Sequence, residues 1–112
     1  MAKLPDPVLT NIFTLQRRII ESIEATTALA FRLFTQWGET TETLTELEEL
    51  QNIQERLRSQ YSRLNTLLLK VSESQPTASE DMLNLLYRTI EVAELSLDAS
   101  IASLQEIQRN WN

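Results

Sequence analysis

Cysteine and histidine are both missing from this 112-residue chain, and glycine occurs once. Without cysteine there is no disulfide framework, thiol nucleophile, iron–sulfur cluster or thiolate zinc site. Without histidine there is no Ser-His-Asp arrangement, no Glu-x-x-His di-iron motif and no His-Glu-x-x-His zinc site. A single glycine cannot supply the turns of a many-stranded barrel or the phosphate-cradling loop of a nucleotide-binding fold, because both need positive φ or close backbone approach. Any enzyme chemistry would have to run on carboxylates, lysine, tyrosine or a bound cofactor. No enzyme is therefore expected, and no catalytic, cofactor-binding or metal-binding residue stands out.

What charge there is leans one way: 16 acidic against 10 basic residues leave a net charge of −6. A net negative chain is repelled by phosphate backbones and anionic lipid unless its cations segregate. The N-terminus, Met1-Ala2-Lys3-Leu4-Pro5-Asp6-Pro7, lacks the basic start and following apolar run of a secretory signal. From Val8 to Trp37 the apolar residues are interrupted by Arg17, Arg18, Glu21, Glu24 and Arg32. No stretch there reaches the ~18 uncharged residues of a membrane span. A soluble, cytoplasmic protein with no membrane partner is the expectation.

The apolar residues that are present fall into three long periodic segments. Pro7 suits the first turn of a helix with Asp6 as its N-cap, and Gly38 after Trp37 offers a left-handed C-terminal cap. Between them Leu9, Ile12, Phe13, Ile19, Ile20, Ile23, Ala30, Leu33, Phe34 and Trp37 recur at three- and four-residue spacing as a broad stripe. The second segment opens where Thr43 and Glu46 read as a capping box. Its seam is Leu47, Leu50, Gln54, Leu57, Tyr61, Leu64, Leu68 and Val71, a strict alternation of three and four. Pro76 interrupts, Thr77 with Glu80 reads as another capping box, and a third seam follows: Leu83, Leu86, Ile90, Ala93, Leu97, Ser100, Leu104, Ile107 and Trp111. Met82, Leu85, Val92, Leu95 and Ile101 widen it.

These segments predict helices over about 7–37, 42–73 and 78–111, each roughly 45 Å long at 1.5 Å per residue. Joined by short polar connections, they fold as an all-α, elongated, antiparallel three-helix bundle, up-down-up and coiled-coil-like, in a single domain spanning 1–112. The first helix carries more buried-type surface than two neighbours need, so a homodimer through helix faces is a second expectation.

Setting the helices at a common height, with Pro7, Glu73 and Ser79 at one end, gathers three groups of residues. Thr26, Thr27, Gln54 and Ser100 meet among small side chains, as a register-fixing polar layer or as a groove that a partner or small ligand enters. Trp37 and Trp111 meet at the far tip with Phe34 and the acids Glu42, Glu46 and Glu49, either capping the core or offering an aromatic patch with an acidic rim to a basic partner. Arg17, Arg18, Arg63 and Arg88 share a level about a third of the way up, as a belt for an anionic partner or as solvated residues paired with Glu21, Glu91 and Glu94 on their own helices.

Trp37-Gly38 at a helix–helix turn and Tyr87-Arg88-Thr89-Ile90-Glu91 resemble fragments of the small helical-hairpin proteins exported by type VII secretion. Those carry Trp-x-Gly at the turn and a terminal Tyr-x-x-x-Asp/Glu signal after two helices, whereas here the turn spacing differs and the tyrosine lies inside a third helix. No family is assigned on these fragments. By elimination, the chain is expected to be a non-enzymatic interaction module, an adaptor, assembly factor or small subunit with a protein partner and no cofactor. A nucleic-acid-associated subunit using the arginine belt is the alternative, opposed by the net charge.

Overall fold

The structure, a computed structural model, describes residues 4–111. The residues Met1-Ala2-Lys3, read above for a secretory signal, lie outside that range. The described residues form three helices, α1 (Asp6–Trp37), α2 (Thr41–Glu73) and α3 (Glu80–Asn110), assembled as an elongated three-helix bundle of 57 × 19 × 17 Å. Short connections turn the chain back on itself twice, and α2 packs on both neighbours more extensively than α1 and α3 pack on each other.

The helices lie where the periodicity places them, but their ends are built differently. Pro5, not Asp6, is the first cap, and its carbonyl accepts from Val8 N–H at 3.0 Å and Leu9 N–H at 3.2 Å; Asp6 already lies in the first turn, near the positive end of the dipole. The capping box of α2 pairs Thr40 with Thr43 rather than Thr43 with Glu46. A threonine at the third helical position is short enough to sit inside the turn, whereas Glu46 begins the next one. At α3 the cap is Ser79, whose hydroxyl accepts from Met82 N–H at 3.1 Å, in place of Thr77. Gly38 does close α1, its N–H donating to the Phe34 carbonyl at 3.0 Å, yet its φ of 69° comes with ψ of −166°. That places it in a region essentially restricted to glycine rather than in the left-handed helical one.

The core runs the length of the bundle through Ile12, Ile19, Leu33, Leu57, Leu64 and Leu97, all fully buried. Complete burial of such side chains stabilises by about 1.5–3 kcal/mol each before chain entropy is subtracted. On α2 the buried set includes Ile53 and Leu67, while Leu47, Gln54 and Tyr61 are half-buried. On α1, Leu15 and Leu29 join the core, whereas Phe13, Ile20, Phe34 and Trp37 face outward. A straight helix has 3.6 residues per turn, so its inward face drifts away from a strict 3.5-residue seam over this length.

Two polar contacts tie α1 to α3. Asn11 Nδ2 donates to Glu94 Oε1 at 3.2 Å, and Arg18 Nη2 donates to Asp98 Oδ1 at the same distance. Both ion-pair partners are well exposed, so the Arg18–Asp98 bridge contributes at most about 1 kcal/mol. Its value here is as a marker of register: the contacts join residues 83 and 80 positions apart. A flush start of the two helices sets a smaller interval, so this part of α1 sits beside a more C-terminal stretch of α3 than a common baseline implies.

Candidate functional site

At the tip, Trp37 ends α1 and Trp111 follows α3, and the two indoles meet edge to face with centroids 5.6 Å apart and planes at 68°. Such a pair is worth about 0.5–1.5 kcal/mol beyond area burial. Trp111 packs on the core, while Trp37 and Phe34 each remain 51% exposed. Glu42 and Glu46, from the first turns of α2, line a hollow of about 450 Å³ that Trp111 and Asn110 close from the other side. Glu49 is exposed farther along α2. Trp37, Trp111, Glu42 and Glu46 thus meet at this end, whereas Phe34 and Glu49 are exposed on α1 and α2 outside the hollow.

The four polar residues are less united. Thr26 and Ser100 are buried, Gln54 is half-buried and Thr27 is exposed. Thr26 donates to the Ser22 carbonyl one turn back at 2.6 Å, and Thr27 donates within its own helix to Ile23 and Glu24. No hydrogen bond joins any two of the four among the described residues. Ser100 Oγ is buried with no partner. Replacing a buried, unpaired hydroxyl by hydrogen removes a desolvation cost, so Ser100→Ala is expected to raise the unfolding free energy by about 1 kcal/mol in urea titration. A loss of similar size would show that the hydroxyl is satisfied in solution.

The arginines divide between two surfaces. On α1, Arg18 bridges to Asp98 instead of to Glu21, and Arg17 is exposed. Arg63 and Arg88 converge from α2 and α3 on one groove of about 720 Å³, joined by Arg58. Along it lie Leu67, Leu85 and Val92, the last two half exposed at 50% and 44%. Neither Arg63 nor Arg88 pairs with an acid among the described residues, so the intrahelical pairing of Arg88 with Glu91 and Glu94 does not form. Glu94 is instead turned toward Asn11.

A fourth surface was not singled out in the sequence. Phe13, Arg17, Ile20, Glu24, Thr27, Phe31 and Phe34 follow one another at four- and three-residue spacing along α1, and every one is exposed. Phe31, outside the stripe first read, is 71% exposed. The signal was available as a second alternation of three and four, displaced around the helix from the core one.

None of these surfaces collects the groups of a metal centre, and among the described residues no cluster of three or more carboxylates is placed to hold one. No described helix is long and apolar enough to cross a membrane. Comparison with protein-family models, curated proteins and solved structures finds no match. The fold defines an elongated three-helix bundle, and the functional reading rests on its surfaces.

Proposed function

We propose that this chain is a non-enzymatic helical interaction module that works in the cytoplasm by packing helices against its outer faces, a second copy of itself among them. The observation that carries the reading is the outward seam of α1, where Phe13, Ile20, Phe31 and Phe34 remain exposed although the core is complete without them. Large apolar side chains aligned at heptad spacing on a soluble surface mark a helix-docking face.

The seam is also self-complementary. Phe13 and Phe31 are equidistant from Ser22, as are Ile20 and Glu24. A two-fold axis at that level therefore sets Phe13 of one antiparallel copy against Phe31 of the other, twice. The same pairing lays Ile20 along the aliphatic stem of Glu24 and leaves that carboxylate one turn from Arg17 of the other copy, within reach of its guanidinium.

Light scattering over a concentration series is expected to give the mass of two chains, reduced to one by Phe31→Glu. Phe31 is so exposed that the variant should keep its helicity. A one-chain mass for the unaltered protein at every concentration removes the dimer. Retention of the dimer in Phe31→Glu would place the interface elsewhere. The second reading, a nucleic-acid-associated subunit, is favoured only by the convergence of Arg63 and Arg88 with Arg58.

A further inference from the structure

We propose that the groove between α2 and α3 is the seat of an acidic amphipathic helix from a partner protein. The inference deepens the interaction-module reading, but on a face separate from the α1 seam. Its first support is the second apolar line on α3. Leu85, Arg88, Val92 and Leu95 recur at three- and four-residue spacing, one position before the core residues Leu86, Thr89, Ala93 and one beyond Glu94, and all four are exposed. Leu95, at 71% exposure, prolongs the line toward the C-terminal half of the helix.

Across the groove, α2 presents Ser59, Ser62 and Thr66 at the same spacing. These short side chains form a low wall over which another helix can approach closely, as ridges enter grooves in helix packing. Groove residues on α2 run from Glu55 to Leu67, about 18 Å at 1.5 Å per residue, which matches three turns of a docked helix. Helix-in-groove recognition uses such a frame, with anchors from successive turns of the occupant settling on an apolar strip.

The charge of the occupant follows from the arginines. Arg58, Arg63 and Arg88 border the groove, and none is paired with an acid among the described residues. Covering them with a neutral or basic helix would strip water from guanidinium groups without compensation. Carboxylates flanking an apolar face provide that compensation through charge-assisted hydrogen bonds. Gln60 contributes a further unmet group, a buried side-chain oxygen with no hydrogen-bond partner, suited to a donor on the occupant. Nucleic acid fits less well. No aromatic side chain lines the groove for base stacking, Glu55 stands on its wall, and the exposed leucines offer nothing to a phosphate backbone.

The test uses the full chain and a fluorescein-labelled synthetic peptide of about six helical turns, with leucines along one face and glutamates beside them. A second peptide carries lysine for every glutamate, and a single-stranded oligonucleotide of similar length serves as the phosphate probe. The glutamate peptide is expected to bind, to slow amide exchange over residues 55–67 and 85–92, and to lose at least about tenfold in affinity to the double variant Arg63→Gln/Arg88→Gln. Val92→Glu, which places a like charge in the strip, is expected to weaken binding similarly. Arg63, Arg88 and Val92 are all exposed, so circular dichroism should report unchanged helicity. Failure of the glutamate peptide to bind overturns the proposal, as does equal binding of the lysine peptide or no effect of the arginine substitutions. Tighter binding of the oligonucleotide, lost in the same double variant, would assign the groove to nucleic acid instead. Phe31→Glu, which tests the dimer, should leave peptide binding intact, so the two readings fail separately.

Discussion

Ile53→Ala is expected to lower the unfolding free energy by about 2–5 kcal/mol, and the neighbouring Gln54→Ala to change it by no more than about 0.5 kcal/mol. Ile53 is fully buried midway along α2, the helix that contacts both others, so removing its outer carbons leaves a cavity that two helices would have to collapse around. Small domains have only about 5–15 kcal/mol of stability in total, and a loss on this scale should lower the melting temperature by on the order of 10 °C. Gln54 is half-buried and makes no side-chain hydrogen bond that its loss would orphan. Alanine also has the higher helix propensity, which offsets part of the lost packing. Urea titrations of both variants at one chain concentration decide the matter, since any self-association makes apparent stability depend on concentration. The opposite order of effects would mean that α2 is rotated so that Gln54 occupies the seam, as the strict alternation of its sequence suggests.

That contrast marks where the sequence is legible. Three helices could be read because Pro7, Gly38 and Pro76 punctuate three apolar periodicities, each long enough for the helical period to dominate. The face each helix buries was harder. α1 has two apolar alternations, one through Ile12, Ile19 and Leu33 and another through Phe13, Ile20 and Phe31, and only packing against α2 and α3 selects the first. Reading them as one broad stripe hid the outer seam. Height along the bundle was harder still, because a heptad pattern fixes rotation about the axis and leaves sliding along it free. The tip was an exception: Trp37 adjoins the turn before α2 and Trp111 follows the end of α3, so helix ends set their level. Arg63 and Arg88, set at one level by the helix ends, do line one groove, but their meeting there with Arg58, Leu85 and Val92 depends on which faces α2 and α3 turn outward, which a common height does not give.

The turn below the tip yields the other large effect. Thr43 is fully buried, and its hydroxyl is shared by both sides of the α1–α2 connection. Its Oγ1 accepts from Thr40 N–H at 2.7 Å and lies 2.7 Å from the Gly38 carbonyl, to which it donates. Valine matches threonine in shape but can make neither bond. Thr43→Val would leave a backbone donor and a backbone acceptor unpaired in a partly buried turn, each costing about 1–3 kcal/mol. Some of that cost is recovered where water reaches Thr40, which is exposed. A net loss of about 2–4 kcal/mol is expected. Thr40→Ala removes the cap received by Thr43 N–H at 3.1 Å and the hydroxyl contact to Thr43 Oγ1 at 3.1 Å, but leaves the Thr40 N–H and the Gly38 carbonyl paired, and should cost about 1 kcal/mol. Because Trp37 precedes Gly38 directly, the valine variant should also shift tryptophan emission, while the alanine variant should leave it near its original position. Equal destabilisation by the two substitutions would mean that the Thr43 hydroxyl does not join the two helices. The expected order makes one buried threonine, together with a glycine at a backbone angle other residues avoid, the element that sets how α1 enters α2 and hence where the two indoles meet.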